Sequence, residues 1–297
     1  MSTTVSAEGL CAVEEPPPGT AAPDGGCGEG CPSAGPSGER TQWSNWRWQM
    51  RHRIRTAEAL RQRFPDLGDA MPVALAASKF PMAITPYYAS LIRRADAADP
   101  IFRLSVPQLV ELENPAFLRE DPLEEDHDMP VPGLVHRYTD RALLIATTTC
   151  STYCRHCTRK RVAGMRESAI SPGRLAQVTA YLNAHPEIRD VIVSGGDPFT
   201  LATAAIERIL IALRSVPHVE IIRIGTRTPV VLPQRITAGL VRMLKRYQPI
   251  YVNTHFNHPA ELTPEATTAC GRLVDAGIPM GNQTVLLRGV NDTPQII

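Results

Sequence analysis

The sequence has no stretch of about eighteen consecutive apolar residues. Its start, Met1-Ser2-Thr3-Thr4-Val5, has neither the basic residues nor the apolar core of a secretory signal. Neither a spanning helix nor an export signal is read from it, and a cytoplasmic protein is expected. Charge of one sign is lacking too. The 31 Lys and Arg are balanced by 30 Asp and Glu, so no overall field favours nucleic acid or an anionic membrane, and any anion binding must be local. Aromatic residues make up 5% of the chain and none precedes Trp43. Residues 14–40 instead hold six Pro and seven Gly, too little apolar surface to offset the entropy of ordering, so residues 1–41 read as a disordered tail. The seven Cys are an odd number in a chain without an export signal, which argues against a disulfide framework and for metal or redox chemistry. Cys11, Cys27 and Cys31 fall in the tail, where exposed thiols are the simpler reading.

What the sequence does contain begins at Trp43. Trp46, Trp48, Met50, Ile54, Ala57, Leu60 and Phe64 recur at three- and four-residue steps, which predicts a long amphipathic helix. Helical pieces are expected around Ile84 to Arg93 and Val106 to Leu118, with an acidic, Pro-containing connection over Asp121 to Gly133. Residues 42–135 thus read as an N-terminal helical lobe. After Arg137, apolar strands alternate with helices. Strands are expected at Ala142–Ala146, Asp190–Val193, Glu220–Ile224, Ile250–Asn253 and Gln283–Leu287. The helices between them start at Ser171, a good N-cap followed by Pro172, and then cover Ala204–Arg214, Ile236–Tyr247 and Pro264–Asp275. This is the pattern of an α/β fold, a parallel sheet of βα units in a partial barrel spanning residues 136–297. It stops after the fifth strand without a closing helix, so the core is read as incomplete at its C-terminus and the chain as a fragment of a longer enzyme.

In such a fold the loops at the C-terminal ends of the strands carry the chemistry. The first of them reads Cys150-Ser151-Thr152-Tyr153-Cys154-Arg155-His156-Cys157. A structural zinc site wants four ligands, whereas here there are three Cys, with His156 adjacent to Cys157 and badly placed to close the shell. Cys270 falls in a predicted helix as a small core residue. Three thiolates suit a [4Fe–4S] cluster with one iron left open. The second loop, Ser194-Gly195-Gly196-Asp197-Pro198, has glycines that allow backbone to approach a ligand. Asn253-Thr254-His255 and Gly281-Asn282-Gln283 lie at the fourth and fifth strands. A basic run, Arg155, Arg159, Lys160 and Arg161, reads either as a solvated face or, for Arg159 at least, as an anion site.

The Cys motif after a first strand resembles the radical S-adenosylmethionine (SAM) superfamily. The resemblance narrows through Trp46-Arg47-Trp48-Gln49, Met82-Ala83-Ile84-Thr85-Pro86-Tyr87-Tyr88, Pro130-Val131-Pro132-Gly133-Leu134, Cys154-Arg155-His156-Cys157-Thr158-Arg159, Thr228 to Thr237 and Asn253-Thr254-His255-Phe256-Asn257-His258-Pro259. Together these strings resemble the lysine 2,3-aminomutase family from about Trp43 to the last residue.

The resemblance implies an isomerase that converts L-lysine to β-lysine with a [4Fe–4S] cluster, SAM and pyridoxal 5′-phosphate (PLP). Arginine or glutamate as substrate, an inactive fragment that binds only SAM and cluster, and a zinc-binding structural module are the competing readings. By motif, Cys150, Cys154 and Cys157 would hold the cluster. Ser194, Gly195, Gly196, Asp197, His255 and Gln283 would hold SAM, Arg159 the substrate carboxylate, and Arg137 with Arg141 the PLP phosphate. A flavodoxin or ferredoxin electron donor and a homo-oligomer are expected as partners, with no nucleic acid and no membrane. The family's PLP lysine and the acidic residues that read the substrate's side-chain amine are expected downstream of Ile297. The family more often has Arg where Lys160 stands. Thr293 follows Gly289-Val290-Asn291-Asp292 where the family commonly has a zinc-ligating Cys, which puts a zinc site in doubt.

Overall fold

Periodicity from Trp43 predicts one helix, and the chain makes two. In the computed structural model, which describes residues 42–113 and 115–297, α1 covers Trp46–Arg51 and α2 covers Ala57–Arg63. The tail reading, with Cys11, Cys27 and Cys31, lies outside the described residues. Three local features break the predicted helix. Thr56 caps α2 by accepting from Ala59 N, Ile54 pairs with Ile84 in an isolated bridge, and Arg53 turns inward to the Cys150 carbonyl at 2.6 Å. Side-chain capping and tertiary pairing here outweigh a weak intrinsic preference. The rest of the lobe also differs from the expectation. Helices α3 (Met71–Lys79) and α5 (Pro100–Ser105) were not predicted, α4 shrinks to Pro86–Ala89, and the described residues of Val106–Leu118 contribute a 3₁₀ turn at Leu109–Leu112 in place of a helix. Proline sits in the first turn of α3, α4 and α5, where its missing N–H costs nothing.

Six strands follow in the order of the sequence. β1 (Leu134–Tyr138), which the periodicity did not predict, is antiparallel to β2 (Arg141–Thr147). From β2 the sheet is parallel through β3 (Asp190–Gly195), β4 (Ile221–Gly225), β5 (Ile250–Thr254) and β6 (Met280–Asn282). The intervening helices are α6 (Pro172–Ala184), α7 (Thr203–Arg214), α8 (Thr228–Val231), α9 (Ala238–Lys245) and α10 (Pro264–Val274). The result is an arc of βα units, an open partial barrel. The last expected strand, Gln283–Leu287, lies outside the sheet. Gln283 N still donates to Thr254 O of β5 at 2.8 Å, but beyond it the groups go elsewhere: Thr284 Oγ1 donates to Phe256 O at 2.9 Å, Val285 N to Asn257 Oδ1 at 2.9 Å and Leu287 N to Asn291 Oδ1 at 2.7 Å.

Alternation along the strands sorts the two faces. Ala142, Leu144, Val191, Val193, Ile222, Ile224, Ile250 and Val252 form the core against the long helices. The intervening positions, among them Arg141, Leu143, Ile192, Ser194, Arg223 and Asn253, line the concave face. A second core binds the lobe to the sheet's C-terminal rim: Leu60, Ile84, Tyr88, Ile101 and Leu104 pack with Val230 and Val231 of α8 and with Val290. None of the described helices is long and apolar enough to cross a membrane.

Candidate active site

The loop leaving β2 is fixed by the lobe before its cysteines are considered. Tyr153 N donates to Ala83 O and Arg155 N to Leu104 O, each at 3.0 Å, and the Tyr153 hydroxyl donates to Glu167 at 2.6 Å. Arg53 joins the Cys150 carbonyl to that same carboxylate. Held in this way, Cys150, Cys154 and Cys157 border one cleft of about 560 Å³ that runs along the concave face of the sheet.

The basic run on this loop is not a solvated face, because each of its four side chains has an acidic partner. Arg155 and Lys160 converge on Glu111 at 2.6 and 2.5 Å, Arg161 pairs with Asp121 and Asp126, and Arg159 pairs with Glu125 through both Nε and Nη2. The stretch expected to be a bare acidic connection is the counter-charge to the cysteine loop. Burial acts upward on Glu111, but the hydrogen bonds and charge of Arg155 and Lys160 overcome it and hold the carboxyl below its ordinary value.

At the end of β3 the two glycines are required by backbone packing. A Cβ on Gly195, at φ +113, would meet Thr147 O at 2.5 Å, and one on Gly196 would meet Thr149 O at 2.4 Å. They seat the β3 loop against the β2 strand end and the start of the cysteine loop. Asp197 borders the cleft, yet its buried carboxylate is engaged within the protein: it accepts from Thr226 Oγ1 at 2.6 Å, Phe199 N at 3.0 Å and Arg227 N at 2.9 Å. Desolvation raises its pKa against those bonds.

Most of the remaining predicted residues meet at the same rim. Ser194, His255 and Gln283 line the cleft. Burial, reinforced by the charge of Arg227, lowers the His255 pKa and favours the neutral ring. Arg159 also lines the cleft, with one edge of its guanidinium already on Glu125. The expected pair Arg137 and Arg141 is divided. Arg141 lies on the concave face, whereas Arg137 is directed away to Leu123 O at 2.8 Å and towards Asp128. The segment that ends in Thr293 is a structural turn, in which Asn291 donates to Asn257 O and Val285 O at 2.9 Å.

Sequence reasoning missed Arg227. It lies just past the end of β4, 7% exposed, and reaches Cys154 Sγ at 2.9 Å. A rule that polar residues ending parallel strands face the site would have found it, because β4 was the one parallel strand whose C-terminal loop was left unread.

The thiols suit a cluster better than a single ion. Among the described residues no three His, Cys, Asp or Glu side chains are gathered closely enough to hold one metal ion. A cluster differs in that each thiolate takes a separate iron. Burial pushes the Cys150 and Cys157 thiols up, so their ionisation calls for a cationic group, and N–H donors already point at two of the sulfurs: Arg227 at Cys154 and Arg159 N at Cys157, the latter at 3.3 Å. His156 Nδ1 is buried beside them without a hydrogen-bond partner, and burial pushes its ring down to about 3, which keeps it neutral.

Comparison with known proteins agrees with this geometry. Residues 144–295 match the Radical SAM superfamily. Over 256 residues, 86% of the chain, the sequence is 52% identical to L-lysine 2,3-aminomutase of Clostridium subterminale and 50% identical to that of Acetoanaerobium sticklandii. It is 42% identical over 257 residues, again 86% of the chain, to glutamate 2,3-aminomutase of Clostridioides difficile. The chain spans 62%, 62% and 61% of the length of these three relatives.

Proposed function

The chain belongs to the radical SAM superfamily and, within it, to the lysine 2,3-aminomutase family, and from that premise we propose that the protein is a cytoplasmic isomerase that moves the α-amino group of L-lysine to the neighbouring carbon. The reading is carried by the cleft, where three thiols on the β2 loop face the rim formed by Ser194, His255 and Gln283. The greater similarity to relatives named for L-lysine than to the one named for glutamate favours lysine as substrate. When bound, the cluster with SAM supplies a radical that abstracts hydrogen, and PLP carries the migrating amine.

The protein's own groups bind, orient and shield. Cys150, Cys154 and Cys157 hold the cluster. The β3 loop, His255 and Gln283 hold SAM, and in that role His255 is an uncharged donor or acceptor, in keeping with its lowered pKa. Arg141 presents its charge to the PLP phosphate from the concave face, and Arg159 presents its remaining N–H groups to the substrate carboxylate. These groups line one cleft, and the lobe braces its Cys-loop side through the bonds of Ala83 and Leu104 to Tyr153 and Arg155. A one-electron donor protein of the flavodoxin or ferredoxin type and a homo-oligomeric state complete the reading.

Anaerobic reconstitution tests it. Wild-type protein should take up iron and sulfide with the absorbance and EPR of a [4Fe–4S] cluster, and after dithionite reduction should release methionine and 5′-deoxyadenosine from SAM. Cys154→Ala should lose the cluster. Cys270→Ala, half-buried on α10, should keep it. Equal iron in the two variants would overturn the ligand assignment, and turnover of L-glutamate in preference to L-lysine would move the substrate to the other named activity.

A further inference from the structure

Arg227 lines the cleft and is assigned to no cofactor or substrate in the reading above. Its backbone N–H is fixed by Asp197 at 2.9 Å. Its guanidinium reaches four groups on three segments: Nε donates to His255 O at 3.3 Å, Nη1 to Cys154 Sγ at 2.9 Å, and Nη2 to the Tyr88 hydroxyl at 2.8 Å and to Glu261. Glu261 is fully buried and equally committed, accepting also from the Tyr88 hydroxyl at 2.6 Å and from Asn257 N and His258 N at 2.6 and 3.1 Å. The guanidinium is thus gripped at both ends, and the N–H between them is aimed at sulfur. A neutral thiol is a weak acceptor, so a buried charge-bearing donor directed at one gains little, whereas a thiolate makes a charge-assisted bond.

We infer that Arg227 is a positioning residue for the cluster, which hydrogen-bonds the Cys154 thiolate and raises the cluster's reduction potential, with Glu261 setting the size of the effect. The inference rests on the cluster reading above and goes beyond it. In the step concerned, one electron from an external low-potential donor enters the oxidised cluster. No bond forms or breaks in the protein, and the cluster with its thiolates becomes one unit more negative. An N–H donor on a ligand sulfur stabilises the more negative state, and hydrogen bonds to sulfur are an established lever on cluster potential. Glu261 works against it by neutralising the guanidinium from the far side. The two residues should therefore shift the potential in opposite directions.

The test is an EPR-monitored redox titration of the reconstituted protein with dithionite and viologen mediators, without substrate. Arg227→Gln should lower the ratio of reduced to oxidised cluster at a fixed potential by about tenfold, equivalent to about 59 mV for one electron. Arg227→Lys retains the buried positive charge opposite Glu261 but not the planar fork, and should give a smaller shift of the same sign. Glu261→Gln should raise the ratio. If Arg227→Gln fails to assemble a cluster, the other two variants decide. An Arg227→Lys midpoint equal to wild type, or shifts of the same sign in the Arg227 and Glu261 variants, would overturn the inference. Wild-type protein that takes up no iron and sulfide would instead overturn the cluster reading itself, and this inference with it.

Discussion

At the scale of single residues, the site is built from side chains that each meet two demands, and Arg159 shows how they can be separated. It is expected to read a substrate carboxylate, and it also ion-pairs with Glu125, the two side chains being 16% and 7% exposed. Replacing it with Lys keeps the charge and removes the fork, and charge-assisted hydrogen bonds of this kind are worth roughly 1.5 to 3 kcal/mol. In enzyme that also carries the PLP lysine, Arg159→Lys should therefore lower kcat/KM for the amino-acid substrate by about one to two orders of magnitude with cluster content unchanged. Exposed Arg166, in the same basic stretch, is the control, and Arg166→Lys should be nearly silent. Glu125→Gln leaves the guanidinium in the cleft and should cost less activity than Arg159→Lys. Equal losses at Arg159 and Glu125 would mean that the ion pair, and not carboxylate recognition, is what the substitution removes.

At the scale of elements, the carboxyls that hold the cysteine loop, Glu111 on the 3₁₀ turn Leu109–Leu112 and Glu167 after the loop, make the site sensitive to acid. Glu111 is held below its ordinary 4.5 by Arg155 and Lys160 in spite of its burial, and Glu167 is likewise lowered, against burial, by Tyr153 and Arg53. A carboxyl whose folded pKa is depressed adds stability that is fully present above its unfolded value and is lost as pH falls through the folded one. The loop's attachment to the lobe should accordingly be intact above about pH 4.5 and weaken below it. Glu111→Gln leaves Arg155 and Lys160 without their shared partner and should cost about 3 kcal/mol near neutral pH, in the range for breaking a buried pair. It should also flatten the acid limb of a stability-against-pH curve measured by denaturant unfolding. A curve parallel to wild type with a constant offset would show that Glu111 does not titrate with the unfolding. The same contacts explain what pattern reading could not resolve here. Arg155, Arg159, Lys160 and Arg161 are separated in sequence from Glu111, Asp121, Glu125 and Asp126, and nothing local announces that two oppositely charged stretches will face each other.

At the scale of the whole molecule, the parts legible in the sequence are those governed by short-range rules. The strands from β2 to β5 and helices α6, α7 and α10 lie within a residue or two of expectation, because apolar alternation, the Ser171 cap and Pro172 act within one element. The cysteine loop was legible by spacing and by its place after a strand. The lobe was not, since its helices are cut short by tertiary partners such as the Ile54 to Ile84 bridge, and Arg227 was not, since its importance lies in what three distant segments bring to it. This division predicts how the protein opens. The lobe and the cysteine loop share backbone bonds at Ala83 and Leu104 and a core distinct from the one behind the sheet, so they should open as one unit of lower stability. Ile101 is fully buried in the lobe core, and Ile101→Ala should remove about 2 to 4 kcal/mol by transfer and cavity terms. In native-state hydrogen exchange the variant should accelerate the Tyr153 and Arg155 amides together with those of α5, while the Val191 and Val193 amides of β3 keep their wild-type protection. Acceleration confined to the lobe would separate the loop from it. Equal acceleration throughout the sheet would show a single cooperative unit, and either result would remove the physical basis for treating the lobe as the brace of the site.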